Sequence, residues 1–182
     1  PLLQSNGLAN QELFNQGVQL VAGENAAIVT NQFVDQYITF GGSGLTLGLV
    51  CTMLYFAKSK QYKQLGRLSI VPGLFNINEP IIFGFPVVFN PIMAIPFILA
   101  PVISVIMVYT SIATGIVEPF RAISVPWTTP FIISGFLIGG VKAAILQIAV
   151  FSMTVAVYFP FFKYQDKLAY QEEQKIGTEA TV

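Results

Sequence analysis

The sequence lacks histidine altogether and contains a single cysteine, Cys51. The absence of histidine excludes Ser-His-Asp triads, Cys-His pairs and most zinc sites. One cysteine cannot form a disulfide within the chain, and no second thiol completes a metal or redox motif. We interpret Cys51, which lies within an apolar run, as a small packing residue. The sequence therefore predicts neither a metal site nor a bound cofactor.

Charged residues are also scarce. They make up 10% of the 182 residues, whereas 54% are hydrophobic, and the mean hydropathy is +0.67. Soluble domains carry about 25% charged residues, and a soluble chain with so few charges would expose apolar surface and aggregate. We therefore predict an all-α integral membrane protein. The formal net charge is zero and no stretch is strongly basic, so nucleic-acid binding is not expected.

Apolar runs predict three membrane-spanning helices, near residues 44–57, 91–115 and 141–162. Two apolar segments that are broken by glycine or proline predict re-entrant hairpins, near residues 31–44 and 68–90. Residues 13–29 have apolar side chains at helical spacing, which favours a helix there. The basic residues 58–67 predict a loop on the cytoplasmic side of the membrane.

The chain begins with Pro1 rather than methionine, and a polar stretch without the features of a signal peptide follows. We therefore expect the C-terminal, substrate-binding part of a longer membrane protein. It would consist of a transmembrane domain over residues 1–162 and a cytoplasmic tail over residues 163–182. Lys163 and Lys167 follow the last apolar run directly, which also places that tail in the cytoplasm.

Glu79 is the most informative position. An ionisable side chain within an apolar segment is costly to insert and is a functional candidate by default. Asn76 and Asn78 supply amide donors and acceptors beside it, and Pro80 disfavours helical backbone at Glu79. We therefore predict that Glu79 lies at a hairpin tip in extended backbone and binds a hydroxyl-rich ligand. The alternative is a carboxylate that merely faces water at the membrane surface.

Other candidate ligand-binding residues lie in two segments. Trp127, followed by Thr128, offers a flat apolar face for a pyranose ring, with an interfacial belt tryptophan as the equal alternative. The glycine turn, defined as Gly41, Gly42, Ser43 and Gly44, allows a close backbone approach to a ligand or, equally, close helix packing. Gln32 and Asp35 precede this turn and are within reach of the same cavity, although solvated or capping roles are favoured for them.

Two segments of the sequence carry a resemblance to a known family. They are Pro72-Gly73-Leu74-Phe75-Asn76-Ile77-Asn78-Glu79-Pro80-Ile81-Ile82-Phe83-Gly84-Phe85-Pro86 and Asn90-Pro91-Ile92-Met93-Ala94-Ile95-Pro96-Phe97. They resemble the enzyme IIC permeases of the bacterial phosphoenolpyruvate-dependent sugar phosphotransferase system, closest to the lactose, cellobiose and diacetylchitobiose branch. The resemblance covers nearly the whole chain and is weakest in the tail. The Asn-Glu-Pro block with its flanking prolines is highly specific.

This resemblance implies a fold with an N-terminal dimerisation half and a C-terminal half whose two re-entrant hairpins enclose a disaccharide. It implies that Glu79 lies beside the 6-hydroxyl that becomes phosphorylated, that Trp127 contacts the sugar, and that Asn78 and the glycine turn complete the pocket. The family also places a histidine near that hydroxyl, which this sequence lacks; we expect it upstream of Pro1.

The resemblance further implies that the chain is a permease subunit and not an enzyme by itself. Enzyme IIB, supplied by enzyme IIA, would donate the phosphoryl group, and the location would be the bacterial cell membrane. Two other functions stay open on residue chemistry alone. One is an ion-coupled secondary transporter that uses Glu79 as its coupling site. The other is an intramembrane enzyme with Glu79 as its base. No second catalytic group lies at a sequence distance from Glu79 that suggests a joint catalytic role.

Overall fold

The computed structural model describes residues 2–85, 87 and 90–179. Within this part of the chain the regular structure is helical, with one isolated bridge between Ala22 and Ala26, so the predicted all-α fold is confirmed. Pro86, which belongs to the recognised sequence block, lies outside the described residues. The helices are α1 (Leu2–Asn15), α2 (Asn31–Tyr37), α3 (Leu47–Phe56), α4 (Lys60–Leu74), α5 (Glu79–Gly84), α6 (Pro91–Ala113) and α7 (Ile133–Glu179).

Helix α1 occupies the N-terminal polar stretch, so the helix predicted over residues 13–29 is wrong for most of its length. Gly17 adopts a φ of 76° just after the last turn, and glycine in this left-handed conformation commonly ends helices. The N–H of Val18 donates to the carbonyl of Leu13 at 3.0 Å, which closes the helix end. Residues 18–30 then form turns and irregular backbone.

Two helical hairpins follow. In the first hairpin, α2 and α3 are joined by residues 38–46, which contain the glycine turn; in the second hairpin, α4 and α5 are joined by residues 75–78. Helix α3 has ten residues and is therefore about 15 Å long. This is about half of the hydrocarbon thickness, so α3 is shorter than the spanning helix predicted near 44–57.

The basic segment predicted as a loop at 58–67 is helical from Lys60 onwards. Ser59 caps α4 by accepting a hydrogen bond from the N–H of Tyr62. The helix also continues through Pro72 and Gly73 to Leu74, although these two residues were expected to break it. Tertiary packing overrides local preference here, because the face of α4 that contains Gly66, Ser69 and Gly73 is buried.

Helices α6 and α7 are long and apolar enough to cross a membrane. Helix α6 runs from Pro91 to Ala113 through two internal prolines, close to the prediction of 91–115. Helix α7 bends at Gly139 and Gly140, where the φ angles are −153° and 68°, so its long arm starts where the third spanning helix was expected. That arm does not end at residue 162. It continues to Glu179, so the described part of the predicted tail is helical.

The first hairpin is anchored in the centre of the molecule by Tyr37. Its ring is fully buried and stacks on Phe120 with ring centroids 5.2 Å apart. Its hydroxyl donates to the carbonyl of Ala143 at 2.8 Å. Its own carbonyl accepts from Oγ of Ser104 at 2.7 Å. These contacts fix α2 against both α6 and α7.

Candidate functional site

Three segments that are distant in sequence converge at the tips of the two hairpins. They are the glycine turn of the first hairpin, residues 75–78 of the second hairpin, and the loop at 127–129 before α7. Asn76 joins all three. Its Oδ1 accepts a hydrogen bond from the N–H of Gly41 at 2.6 Å. Its Nδ2 donates to the carbonyls of Trp127 and of Thr129, the latter at 3.2 Å.

Asn76 therefore acts as a clamp, which here means that its side chain holds the three segments together. Both protons of its amide are used on backbone carbonyls, and its oxygen is used on a backbone N–H. Its backbone has a φ of 65°, a conformation that asparagine tolerates better than other residues with a side chain. The amide oxygen can accept one further hydrogen bond, so direct contact of Asn76 with substrate stays a prediction. The side chain also positions the segments that carry the other candidates.

Asn78 connects the two hairpin tips a second time. Its Nδ2 donates to the carbonyl of Ser43 at 3.0 Å. The contact depends on glycine at position 42, because a Cβ built there would lie 2.3 Å from Cγ of Asn78. Gly42 also has a φ of 87°, which disfavours any other residue. The Oδ1 of Asn78 remains an acceptor at the tip.

The backbone carbonyls of the glycine turn point into the protein. The hydroxyl of Thr46 donates to the carbonyl of Gly41 at 2.8 Å, and the hydroxyl of Tyr158 on α7 donates to the carbonyl of Gly44 at 2.7 Å. The side chain of Ser43 is exposed, whereas the three glycines are buried. Ser43 is therefore exposed at the turn, whereas the carbonyls of the turn accept hydrogen bonds from other parts of the protein.

Glu79 is the first residue of α5, and it is exposed. The extended backbone predicted for it from Pro80 is wrong. A proline in the first helical turn removes no intrahelical hydrogen bond, because the N–H groups there have no partner within the helix. The helix can therefore start directly at Glu79. Within the described part of the chain its carboxylate has no hydrogen-bond partner, so it is available to a ligand.

Trp127 combines a fixed backbone with a free ring. Its carbonyl accepts from Asn76, while 64% of the residue is exposed. Thr128 beside it is half-buried. The backbone of Trp127 is therefore fixed at the hairpin tips, and its ring is largely exposed. Glu79 and Ser43, which lie on or next to the other two converging segments, are also exposed, and we call these exposed residues the tip surface.

Gln32 lies apart from this surface. It is on α2, where its Nε2 donates to the carbonyl of Ile123 at 3.1 Å and its Oε1 is buried without a partner. It lines a polar cavity of about 370 Å³ that also includes Asp35. Val125 also lines this cavity. It precedes Trp127 by two residues, so the cavity lies close in sequence to the candidate site.

Sequence reasoning missed three residues that support the site: Thr129, Gln147 and Tyr158. The amide of Gln147 is fully buried; its oxygen accepts from the N–H of Ile132 at 2.6 Å, and its nitrogen donates to the carbonyl of Gln36 at 2.7 Å. Gln147 thereby ties the start of α7 to the first hairpin. A lone glutamine within an apolar run is the signal that could have identified it.

The chemistry that the tip surface offers is hydrogen bonding and ring stacking. A carboxylate, an amide oxygen and a hydroxyl accompany one aromatic face, which matches the alternating polar edge and apolar face of a sugar. Among the described residues no three histidine, cysteine, aspartate or glutamate side chains are grouped so as to hold a metal ion.

Comparison with known proteins gives matches across most of the chain. A cellobiose-specific EIIC component of the phosphotransferase system from Geobacillus stearothermophilus is 52% identical over 149 residues, which are 81% of this chain and 33% of that protein. A lactose-specific EIICB component from Staphylococcus aureus (strain N315) is 37% identical over 159 residues, which are 85% of this chain and 28% of that protein. The chain thus spans about a third of the length of the curated relatives that it matches.

A solved structure has the same fold. The crystal structure of the transporter ChbC, the IIC component from the N,N'-diacetylchitobiose-specific phosphotransferase system, superposes with a TM-score of 0.87 at 43% identity. The similarity covers 93% of this chain and 39% of that one. The family described as "Phosphotransferase system, EIIC" matches residues 1–101, which is more than half of the 182 residues. The chain therefore belongs to the EIIC family of the phosphotransferase system.

Proposed function

We propose that this chain forms the sugar-binding half of a bacterial phosphotransferase-system permease that binds and translocates a disaccharide. The diacetylchitobiose, cellobiose and lactose class is favoured, because the relatives carry those specificities in their names. The observation that carries the proposal is the convergence of the two hairpin tips and the Trp127 loop on Asn76. This convergence brings the segments that carry Glu79, Ser43 and Trp127 to one surface.

In this proposal Glu79 accepts a hydrogen bond from the sugar hydroxyl at carbon 6. A carboxylate that accepts this bond orients the hydroxyl and is suited to take its proton during phosphoryl transfer. The residue is exposed and without a partner among the described residues, so no existing hydrogen bond has to break. Trp127 then stacks on the apolar face of the ring, while Asn78 and the hydroxyl of Ser43 contribute polar contacts. In this proposal Thr128 also lies beside the sugar ring.

The glycine turn and the second hairpin tip lie at membrane depth in this proposal, as re-entrant segments. Irregular backbone in a membrane survives only where protein or a wet cavity satisfies its polar groups. The glycine turn meets this condition, because Thr46, Tyr158 and Asn78 donate to its carbonyls. Gln32 would reach the sugar only if its polar cavity joins the tip surface in the intact permease.

The partners follow from the same assignment. Enzyme IIB, recharged by enzyme IIA, would phosphorylate the bound sugar from the cytoplasmic side, and the EIICB name of one relative supports a C component that acts with a B component. The C-terminal end of α7 would face the cytoplasm, with Lys163 and Lys167 at the membrane boundary. The intact permease would form a homodimer through its other half, in the bacterial cell membrane.

The test is a Glu79→Gln substitution in the intact permease, with Glu24→Gln, an exposed carboxylate on the α1–α2 connection, as the control. We expect Glu79→Gln to abolish phosphorylation of the disaccharide by enzyme IIB and to lower sugar affinity in a calorimetric titration. Membrane insertion should stay intact, and the control should behave as the wild type. Wild-type affinity and phosphorylation in Glu79→Gln would exclude this role for Glu79.

The ion-coupled alternative is separated by uptake into membrane vesicles. A phosphotransferase permease accumulates sugar only with phosphoenolpyruvate and the soluble components present. If a proton gradient alone drives accumulation, and phosphoenolpyruvate with enzyme IIB does not, the proposed function is wrong and Glu79 is a coupling site instead.

A further inference from the structure

A second pocket lies far along α7 from the kink, where the end of α3 meets the extended arm of α7. We call it the basic pocket. Its volume is about 360 Å³, and it is lined by Phe56, Lys58, Lys163, Asp166, Lys167, Tyr170 and Gln171. The three lysines, Phe56 and Tyr170 are all exposed. The pocket therefore combines an apolar, partly aromatic wall with three ammonium groups at its rim.

The acidic residues nearby form their hydrogen bonds with the chain and not with the ammonium groups of these lysines. Asp166 is only 3% exposed, and its carboxylate accepts from the N–H of Lys58 at 2.8 Å and from the N–H of Ser59 at 3.0 Å. Glu173 accepts from Oγ of Ser59 at 2.7 Å and from the N–H of Lys60 at 3.0 Å. Both carboxylates are thus bound to the chain around the start of α4.

The ammonium groups of Lys58, Lys163 and Lys167 consequently have no carboxylate within 4.0 Å in the part of the chain that the structure describes. The Nζ atom of Lys163 lies 5.2 Å from the centroid of the Phe159 ring. The three cations outnumber Asp166, the one carboxylate that lines the pocket, so the unoccupied pocket carries an excess of positive charge. The three cations are stabilised when an anion binds among them.

If α7 crosses a bilayer, the pocket lies at the level of the lipid headgroups. The apolar run of α7 ends at Phe162, and Lys163 and Lys167 follow one helical turn apart on the same face. Phe56 packs edge-on against Phe159 with centroids 5.0 Å apart. Aromatic rings and lysines that follow directly on an apolar helix mark the boundary between hydrocarbon and water. The apolar wall then faces acyl chains, and the rim faces headgroups.

We propose that the basic pocket binds an anionic phospholipid, with the phosphate among Lys58, Lys163 and Lys167 and the upper part of one acyl chain against Phe56. Basic pockets between membrane helices bind anionic headgroups in this way. The apolar wall distinguishes this ligand from a free phosphate ion, which gains nothing from Phe56. The proposal is independent of the sugar assignment and requires only that α7 crosses a bilayer.

The test measures lipid binding to the intact permease in detergent by native mass spectrometry. Three ligands are titrated separately: phosphatidylglycerol, phosphatidylcholine and inorganic phosphate. We expect phosphatidylglycerol to bind preferentially and the double substitution K163Q/K167Q to weaken it. A surface lysine contributes about 1 kcal/mol toward anionic lipid, a factor of about five in affinity, so the double variant should lose about 25-fold. The conservative variant K163R/K167R should retain binding.

Lys175→Gln is the matched control, because Lys175 is exposed on the same arm of α7 but does not line the basic pocket. It should bind phosphatidylglycerol as the wild type does. Equal binding of phosphatidylcholine, or unchanged phosphatidylglycerol binding in K163Q/K167Q, would overturn the proposal. So would binding of inorganic phosphate with the same affinity as the lipid. Loss of enzyme IIB binding in K163Q/K167Q, with lipid binding unchanged, would assign the surface to that partner instead.

Discussion

Asn76 and Gly41 are joined by a hydrogen bond of 2.6 Å between side chain and backbone, across 35 positions of sequence. This bond connects the tip of the second hairpin to the turn of the first. The same side chain also holds the Trp127 loop through the Trp127 carbonyl. The geometry of the candidate sugar site therefore depends on a side chain whose hydrogen bonds join three segments of the chain.

Asn76→Asp tests this role with almost no change of shape. The new carboxylate can still accept from the N–H of Gly41, but it places a negative charge against the carbonyls of Trp127 and Thr129. Loss of a buried partner costs about 1–3 kcal/mol, so we expect a lower thermal unfolding temperature and a sharply reduced sugar affinity. The measurements are a thermal melt and a sugar titration of the intact permease.

Asn15→Asp is the comparison for that substitution, since Asn15 is exposed at the end of α1. It should change neither quantity. If Asn76→Asp lowers sugar affinity while the unfolding temperature stays at the wild-type value, Asn76 contacts the sugar and is not a clamp.

Gly42→Ala should disconnect Asn78 from the first hairpin. The added methyl group would lie 2.3 Å from Cγ of Asn78, so the asparagine must move and its bond to the Ser43 carbonyl breaks. Gly115→Ala separates this clash from backbone strain, because Gly115 has a φ of 73° with open space around it. We expect both variants to lose some stability, and only Gly42→Ala to lose sugar binding. Equal sugar affinities in the two variants would contradict this explanation.

Trp127→Ala should weaken disaccharide binding without unfolding the protein, since the ring is largely exposed and its structural bond uses the backbone carbonyl. Aromatic stacking is worth about 0.5–1.5 kcal/mol beyond area burial, which corresponds to a rise in Kd of up to about tenfold. Trp127→Phe should retain part of the affinity. Phe83→Ala removes another exposed ring, on α5, and should leave Kd unchanged; an unchanged Kd in Trp127→Ala would instead make Trp127 an interfacial belt residue.

The sequence was sufficient to predict the helical class, the family and the residues that meet at the hairpin tips. Asn76, Asn78 and the glycine turn stand out because polar or flexible residues are conspicuous within apolar segments, and Trp127 stands out as the only tryptophan in the sequence. What it could not predict is which of them bind each other. That the amide of Asn76 binds backbone groups is one example, because this depends on its distance to Gly41 in the folded chain.

Helix boundaries were predicted less well, for a related reason. Pro72 and Gly73 favour a helix end locally, yet packing of α4 against α3 carries the helix to Leu74. The polar residues after Phe162 favour a separate tail, yet Asp166 and Glu173 bind backbone groups around the start of α4 and hold α7 against it. In both cases contacts with another helix, which no local pattern encodes, decide where the helix ends.

The carboxylates of Asp166 and Glu173 also fix the position of α4, because they bind backbone groups at its start. Helix α4 ends 15 residues later, about 22 Å away, at the turn that carries Asn76. One end of α4 is thus held by α7, and the other end lies beside the candidate sugar site. The position of the second hairpin tip therefore depends, through α4, on the position of the arm of α7.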